Sequence, residues 1–371
     1  MMDIRLFTDM LSIDSTSGRE RGLADFLSAR FLTEHNKVEK FDVEAMASDV
    51  PEGCALPQNL LFSWGQPKVL FCSHLDTVPP YLPPVTEGSD IIRGRGTCDA
   101  KGQIFAMWEA CKALERKGYD GFGLLLLAGE ETGSYGAKAF REQHPGAEWV
   151  VVGEPTDNCM AVAAKGTKSF EVSFEGEAFH SGYPEHGLSA VEMFHDFMNA
   201  LRSIRFPQDP LLGDTTWNVG KLISDNPQNI LSPGLTCRVY FRTTFESDEM
   251  VCNIMKNIAG SDAKLRFGRP RAQDGSDIVA KDVAQWQKSM SVKAFGGDSP
   301  TRFEVFDGYD TKPVSFGSDA PQLTNCPKKI LCGPGSILVA HRPDENVSLK
   351  EIEKAIANYI GIAEKILQSD I

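Results

Sequence analysis

Two polar residues, His74 and Asp76, directly follow the apolar run Val69 to Cys72. Residues two apart in an extended chain point the same way, so Asp76 can hold the His74 imidazole through a hydrogen bond. Metal-binding histidines commonly need such a partner. Taken alone, however, the pair is better explained as a strand-end histidine capped by a turn aspartate.

Acidic residues follow the next two apolar runs in the same way. Glu130 and Glu131 come after Leu124 to Ala128, and Glu154 comes after Trp149 to Val152. Adjacent carboxylates at the end of a buried strand repel each other unless a cation or a shared proton offsets the repulsion. The apolar character of the preceding strand weakens the alternative of a solvated acidic turn.

Two further candidates lie in glycine-rich segments. Asp99 stands within Gly94 to Gly102, ahead of a helix, where an aspartate commonly serves as the N-cap. The glycines are more numerous than a cap needs and indicate a close approach of the backbone. His341 follows Gly333 to Ser336. Two histidines and three carboxylates, without a thiolate, suit zinc, cobalt or manganese.

A bridging role for Asp99 makes these residues a complete set. Each of two ions then receives one histidine, one carboxylate of its own and a share of Asp99, which leaves an open position for water. One glutamate stays free as a general base, as metal-assisted hydrolysis requires. The residue types leave open which of Glu130 and Glu131 binds metal and which takes the proton.

These groups need elements that bring strand ends together. Short apolar runs alternate with segments of helical spacing such as Leu23 to Phe31 and Ile104 to Leu114. The pattern predicts an α/β fold with a mostly parallel sheet and helices on both faces. Such sheets place their sites at strand ends. A final helix begins at a capping box formed by Ser348 and Glu351.

A second, α+β domain is predicted from Lys165 onwards. Strands, in which apolar and polar residues alternate, and helices follow in the β-α-β-β-α-β order of a ferredoxin-like sandwich: Phe170 to Phe174, Leu188 to Ile204, Trp217 to Ile223, Leu235 to Phe245, Ser247 to Ile258 and Lys264 to Phe267. We therefore expect a catalytic domain over residues 1–164 and 274–371, with the smaller domain inserted over 165–273.

Composition narrows the class of protein. The 371 residues carry a formal net charge of −13, which argues against nucleic acid and anionic membranes as partners. The sequence begins without the apolar run of a signal peptide, and no stretch is apolar enough to span a bilayer. Nine cysteines, an odd number without C-x-x-C spacing, favour a reducing cytoplasm.

Five segments together resemble the metallopeptidase family that contains acetylornithine deacetylase, succinyl-diaminopimelate desuccinylase, aminoacylases and carboxypeptidase G2. They occur in the family's order and run from near the start of the chain to its last helix: Ser73 to Pro79, Gly96 to Gly102, Gly129 to Ser134, Gly153 to Thr156 and Ala340 to Glu345.

The resemblance implies a role for each candidate. His74 and Glu154 match the ligands of one zinc ion, Glu131 and His341 match those of the other, and Asp99 matches the bridge between them. Glu130 matches the general base and Asp76 the aspartate that orients the first histidine. The family also tends to have a cis peptide after the bridging aspartate, here between Asp99 and Ala100.

The same resemblance makes the inserted domain a lid and dimerisation unit. Its His180 matches a histidine that, in dimeric members, reaches the partner's active site and stabilises the oxyanion. Arg242 matches an arginine that grips the substrate carboxylate, and Asn229 matches an asparagine in the preceding loop. His186 and His195 match no family role.

Metal-dependent hydrolysis of the amide bond of a small N-acyl amino acid is therefore the expected function. The segments beginning at Gly317, taken as substrate-binding, and at Gly333 look most like acetylornithine deacetylase, although Ser318-Asp319 departs from the family's usual Thr-Glu or Thr-Ser. A desuccinylase and a dipeptidase or carboxypeptidase remain alternatives. So does a non-catalytic metal-binding homologue, against which the retained Glu130 and Asp76 argue.

Overall fold

The computed structural model describes residues 2–258 and 290–368, and the chain divides into two compact units. The first unit runs to Ala163 and continues over Arg302–Val314 and from Ser318. The second comprises Ala164–Thr301 and Ser315–Gly317. The boundary predicted after residue 273 lies outside the described residues. Residues 290–301 fall in the second unit, which differs from the predicted division because their strand pairs within that unit's sheet.

The described residues contain these α-helices: α1 Ile4–Leu11, α2 Arg21–Arg30, α3 Lys101–Arg116, α4 Tyr135–Gln143, α5 Ala190–Ser203, α6 Asp248–Ile258 and α7 Leu349–Gln368. Their strands are β1 Lys37–Asp42, β2 Gln58–Trp64, β3 Val69–His74, β4 Val85–Glu87, β5 Ile91–Arg93, β6 Phe122–Leu127, β7 Trp149–Val152, β8 Met160–Ala164, β9 Gly166–Glu175, β10 Thr216–Ile223, β11 Gly234–Thr243, β12 Met290–Ala294, β13 Thr301–Arg302, β14 Thr311–Val314, β15 Lys328–Leu331 and β16 Asn346–Ser348.

The first unit is built on a six-stranded sheet in the order β1-β2-β6-β3-β7-β15. Strands β6, β3, β7 and β15 run parallel to one another, while β1 and β2 add an antiparallel edge. Every residue of β3 and β6 is buried, as the uninterrupted apolar runs predict for a parallel sheet covered on both faces. The predicted mostly parallel sheet is confirmed, and the antiparallel edge is an addition to it.

Helix α3 is almost wholly buried and packs against the sheet and α7. Its Phe105 ring stacks on Phe7 of α1 at 4.8 Å, and its Trp108 ring stacks on Phe31 at 4.2 Å. Removing one such ring typically costs about 3–5 kcal/mol because a cavity remains. This packing fixes the start of α3, which directly follows the loop that carries Asp99.

A glycine in β6 allows the central strands to approach each other. An added Cβ on Gly123 would lie 2.8 Å from a Leu70 methyl carbon and 2.9 Å from the Phe62 carbonyl oxygen. Both distances are too short for a real side chain. The glycine therefore leaves room for the Leu70 side chain and the Phe62 main chain against β6.

The second unit contains a four-stranded antiparallel sheet in the order β10-β11-β9-β12. Helices α5 and α6 pack against β9 and β11, and Val172, Cys237 and Val239 belong to their common core. Side chains along β9 and β11 alternate between buried and more exposed positions, and the sheet with its two helices confirms the predicted α+β domain. The predicted strand Lys264 to Phe267 lies outside the described residues, and β12 is the strand that pairs with β9 at this edge.

The last helix, α7, begins as its sequence predicts. The Ser348 main-chain N–H donates to Glu351 Oε2 at 3.2 Å, which is one half of a capping box. The Ser348 hydroxyl accepts from the Lys350 N–H at 3.1 Å and donates to Asp90 Oδ2 at 2.8 Å. The cap therefore also ties the start of α7 to the chain before β5.

Candidate metal centre

Three adjacent parallel strands deliver predicted ligands to one edge of the sheet. His74 is the last residue of β3 and lies in register with Leu127, the last residue of β6. Glu130 and Glu131 follow β6, and Glu154 follows β7 on the other side of β3. Because parallel strands end at the same edge, residues far apart in sequence converge there.

The Asp99 carboxylate lies between the two predicted histidine ligands. Its Oδ1 is 2.9 Å from His74 Nε2, and its Oδ2 is 3.3 Å from His341 Nε2. His341 Nε2 is also 3.0 Å from Glu131 Oε1. Each oxygen of Asp99 thus faces a different histidine, which is the arrangement that a bridging carboxylate needs.

The loop that carries Asp99 is compact and glycine-dependent. Gly96 has a φ of +84°, a conformation that residues with a Cβ rarely adopt. A Cβ on Gly102 would lie 2.2 Å from the Thr97 carbonyl oxygen. The close approach predicted from the glycines is therefore an approach of the loop to itself. The peptide bond between Asp99 and Ala100 is cis, as the resemblance implies.

Asp76 holds more than the histidine two residues before it. His74 Nδ1 lies 2.9 Å from the main-chain carbonyl oxygen of Asp76 and 3.5 Å from its Oδ1. The carboxylate accepts hydrogen bonds from the main-chain N–H groups of Glu130 and Glu131 at 3.0 and 3.1 Å, and from the Ser17 hydroxyl at 2.9 Å. A carbonyl can only accept, so Nδ1 carries the hydrogen and Nε2 faces Asp99. Asp76 thus joins His74 to the turn that carries Glu130 and Glu131, called the glutamate turn below.

Burial and mutual repulsion make the glutamates difficult to ionise. Burial raises the pKa of Glu130 well above its usual range, and the charges of Glu154 and Asp319 raise it further. The pKa of Glu154 is raised by burial and then by the charge of Asp99. Burial also raises the pKa of Glu131, against a hydrogen bond from His341 that lowers it. A nearby cation would offset this repulsion.

The pKa values of the two histidines are also raised, but here because nearby carboxylates stabilise the charged imidazolium form. Burial lowers the pKa of His74, but contacts with Asp76 and Asp99 outweigh burial and raise it well above the ordinary value. Hydrogen bonds with Asp99 and Glu131 raise the pKa of His341 to about 10. Burial by itself would raise the pKa of Asp99, yet hydrogen bonds from His341 and His74 hold it below its usual range. Without bound metal, both histidines therefore favour the protonated, positively charged form, which pairs with the neighbouring carboxylates.

The donor set fits metal ions. His74, Asp99 and Glu131 each offer a ligand atom, and these atoms lie within 4.8 Å of one another. Imidazole nitrogen and carboxylate oxygen are donors that zinc, cobalt and manganese accept. Cations here would replace the protons on the histidines and offset the charge of buried Glu154, so the residues present suit the group that the sequence predicts.

Sequence reasoning missed several buried charged residues around this centre. Asp319, 2% exposed, lies close enough to raise the pKa of Glu130 and Glu154. Glu345, 1% exposed, accepts hydrogen bonds from the loop that carries Asp99. Glu20 is fully buried, and Asp76 contributes to a rise of its pKa to about 8. Glu345 follows His341 by only four residues, and this closeness in sequence could have indicated that Glu345 lies beside the centre.

The other predicted site residues belong to the second unit. His180 is exposed, and its Nδ1 accepts from the Gly182 N–H at 3.0 Å. The Asn229 carbonyl accepts from the Ser181 N–H at 2.9 Å, which places Asn229 beside His180. His186 and His195 are exposed, in keeping with the absence of a predicted role.

Arg242 and Gly317 form a second pair within that unit. Arg242 lies on the partly exposed face of β11, with its guanidinium carbon 5.0 Å from the Tyr240 ring centroid. A Cβ on Gly317 would lie 3.6 Å from Arg242 Nη1, an ordinary contact distance. The two residues expected to bind substrate are therefore neighbours.

Comparison with known proteins identifies the family of this chain. The model of peptidase family M20/M25/M40 matches residues 70–365, so the chain belongs to this family. Over 388 aligned residues it is 31% identical to a probable carboxypeptidase of Aspergillus terreus, with 96% of this chain and 84% of that protein covered.

Two solved structures share the fold. A tripeptidase of Staphylococcus aureus superposes with a TM-score of 0.77 at 18% identity, covering 99% of this chain and 98% of that one. A dinuclear metal-binding peptidase of the M20 family from Bacillus subtilis superposes with a TM-score of 0.67 at 12% identity, covering 99% and 97%. The likeness over whole chains supports the catalytic α/β fold with its smaller α+β addition. Among the helices of residues 2–258 and 290–368, none has the length and apolar character that crossing a bilayer requires.

Proposed function

We propose that this peptidase-family hydrolase cleaves the amide bond of a small substrate with the help of two metal ions, zinc in the first instance and cobalt or manganese as substitutes. His74 and Glu154 would hold one ion, Glu131 and His341 the other, and Asp99 both. The observation that carries the proposal is the position of Asp99, whose two oxygens face two different histidines. The dinuclear metal content of the Bacillus subtilis peptidase with this fold supports it.

The metal ions would supply Lewis acidity and lower the pKa of a bound water. Glu130 would be the group available to take a proton from water, because the five other candidate residues are all assigned as ligands. Asp76 accepts a hydrogen bond from the Glu130 main-chain N–H and so holds this residue in place. Burial and neighbouring carboxylates raise the pKa of Glu130, and bound cations would offset this rise, so that the side chain could accept a proton and later return it to the leaving amine. Asp76 keeps the His74 ring and the glutamate turn in position throughout.

We assign the substrate-binding groups to the second unit. Arg242, with Gly317 beside it, would bind the substrate carboxylate through the planar fork of its guanidinium group. His180 would stabilise the oxyanion, contributed across a homodimer by a partner chain, and Asn229 would support it from the adjacent loop. The exposure of His180 is compatible with a role outside its own unit.

The substrate class has two candidates. The segments from Gly317 and Gly333 favour an N-acyl amino acid of the acetylornithine type, with succinyl-diaminopimelate as a variant. The name of the Aspergillus terreus relative and the tripeptidase fold favour a short peptide instead. Both present an amide bond near a free carboxylate. The nine cysteines, all without disulfide partners, favour a reducing compartment such as the cytoplasm.

A turnover panel with the zinc-loaded protein tests the proposal. N-acetyl and N-succinyl derivatives of ornithine, citrulline, lysine and diaminopimelate are compared with dipeptides and tripeptides, with Glu130→Gln as the catalytic control. Fastest cleavage of N-acetylornithine would establish the first candidate, and fastest release of a terminal residue from peptides would establish the second. Metal binding without hydrolysis of any member would identify a non-catalytic homologue.

A further inference from the structure

A single carboxylate, Glu345, gathers the main chain of the loop that carries Asp99. Its Oε1 accepts hydrogen bonds from the N–H groups of Gly96, Cys98 and Asp99 at 2.9, 3.1 and 3.1 Å. The side chain is fully buried. Three charge-assisted hydrogen bonds to one buried oxygen fix the loop more strongly than neutral contacts do.

The other oxygen of Glu345 is paired with a buried cation. Oε2 accepts from Arg95 Nη1, and the Arg95 side chain is only 2% exposed. The same guanidinium nitrogen lies 3.4 Å from the main-chain oxygen of Arg342, and Arg95 Nε lies 3.3 Å from that of Pro80. Buried charges of this kind are tolerated because each is paired and hydrogen-bonded.

The contacts are reciprocal between two ligand-bearing segments. Glu345 stands four residues after His341 and holds the segment of Asp99, whereas Arg95 stands four residues before Asp99 and holds the residue next to His341. Few other contacts fix that histidine: its side chain is 49% exposed, and its Nε2 meets Asp99 and Glu131. The Gly94 N–H also donates to the Glu345 carbonyl oxygen at 3.0 Å, so the side chains of the pair add to a main-chain link between the two segments and set the spacing of Asp99 and His341 nearest the ligands.

We propose that Arg95 and Glu345 are positioning residues for the second metal ion, the one held by Glu131, His341 and Asp99. They set the separation of Asp99 and His341 before metal arrives. The first ion depends on them less, because His74 and Glu154 follow strands of the central sheet. This inference rests on the proposed two-ion centre.

The test is a zinc titration of metal-free protein by calorimetry, with zinc content after dialysis as a second readout. In Glu345→Gln we expect the affinity for the second ion to fall about 10- to 100-fold, as loss of a ligand's supporting partner typically causes. The affinity for the first ion should change much less, because its other ligands follow strands of the central sheet. His341→Ala and His74→Ala supply reference patterns for loss of the second and first ion.

A matched control is available in the second unit. Asp209, 4% exposed, also uses a carboxylate to gather main-chain N–H groups, those of Leu211, Leu212 and Phe245 at 2.8, 2.9 and 3.1 Å. Asp209→Asn should lower the unfolding temperature while leaving both zinc affinities unchanged. If Glu345→Gln behaves in the same way, the pair is only structural and the proposal is wrong.

Arg95→Lys keeps the test decisive if Glu345→Gln does not fold. Lysine retains a cation beside Glu345 but lacks the planar guanidinium whose Nε lies 3.3 Å from the Pro80 carbonyl oxygen, so a weaker loss of second-ion affinity is expected. Equal weakening of both ions, or no weakening, would overturn the proposal. A wild-type protein that binds one ion only would instead refute the two-ion centre itself, so the two failures are distinguishable.

Discussion

The two histidines of the candidate centre occupy contrasting surroundings. His74 ends β3, is 1% exposed, and has its Nδ1 fixed by the Asp76 carbonyl. His341 lies outside any helix or strand, between β15 and β16, with a φ of +64° and a side chain that is 49% exposed. The same residue type is thus held by a sheet at one position and by a loop at the other.

This difference shows that the rigidity of the centre has two origins. Strand β3 is hydrogen-bonded on both sides, to β6 and β7, so His74 is placed by a regular ladder. His341 itself belongs to no ladder, and its loop is held by isolated main-chain hydrogen bonds together with the buried pair of Arg95 and Glu345. We expect the first metal position to be largely preformed and the second to be the more adjustable.

The largest expected effect distinguishes two adjacent glutamates, one on the His74 side of the centre and one on the His341 side. Glu130 lies on the buried side of the centre, that of His74, where burial and the charges of Glu154 and Asp319 raise its pKa. Glu131 lies on the exposed side, with its Oε1 3.0 Å from His341 Nε2. Glu130→Gln should lower kcat about 10³-fold, within the range for loss of a general base, because the amide cannot take a proton from water. Steady-state kinetics on the best substrate measures this effect.

Metal content provides the control for that prediction. Glu130→Gln should retain both zinc ions, whereas Glu131→Gln should lose the ion beside His341. Undiminished hydrolysis by Glu130→Gln would remove its assignment as the base. Loss of zinc from that variant would show instead that the roles of the two glutamates are exchanged.

Much of the buried side could be predicted from sequence because its rules are local. Apolar runs identified β3, β6 and β7, and the rule that parallel strands end at one edge brought His74 and Glu154 together. The antiparallel edge was not predicted, since β2 is nearly as apolar as a parallel strand and nothing local marks its direction.

The position of His341 and its neighbours on the exposed side of the centre could not be derived in the same way. His341 was placed by resemblance alone, because no strand or helix carries it. The contact of Glu345 with Asp99 joins residues 246 positions apart in the chain, and no periodic pattern connects them. The pairing of β12 with β9 could not be derived for a similar reason, because the register of a sheet edge depends on pairing across a long connection.

The second prediction compares the two histidines through folding stability. In metal-free protein, His74→Ala removes the buried group between Asp99 and Asp76 and should lower the free energy of unfolding by roughly 2–4 kcal/mol. His341→Ala should lower it by less than about 1 kcal/mol, because half-exposed ion pairs contribute little. Urea unfolding in the presence of a chelator measures both values. Equal losses would contradict the contrast between a preformed and an adjustable position.

The smallest expected effect is on the pH dependence of stability, and it concerns Glu20, which lies near Asp76 on the His74 side of the centre. Glu20 is fully buried, and interactions of its carboxylate with the main chain of Gly18, Glu20 and Gly129 lower its pKa only in part. Burial, followed by the charge of Asp76, raises the pKa of Glu20 from 4.5 to about 8. At neutral pH the folded protein therefore holds a proton on Glu20 that the unfolded chain releases.

The sign of the resulting pH dependence follows from linkage. A raised folded-state pKa means that the stabilising contribution of the proton is complete below pH 4.5 and is lost as the pH rises towards 8. Glu20→Gln mimics the protonated acid at every pH. The variant should match the wild type near pH 5 and exceed it by roughly 1–3 kcal/mol at pH 8. Urea unfolding across this pH range compares them, and parallel curves would show that Glu20 is ionised in the fold and that the surroundings of Asp76 are less dry than its burial indicates.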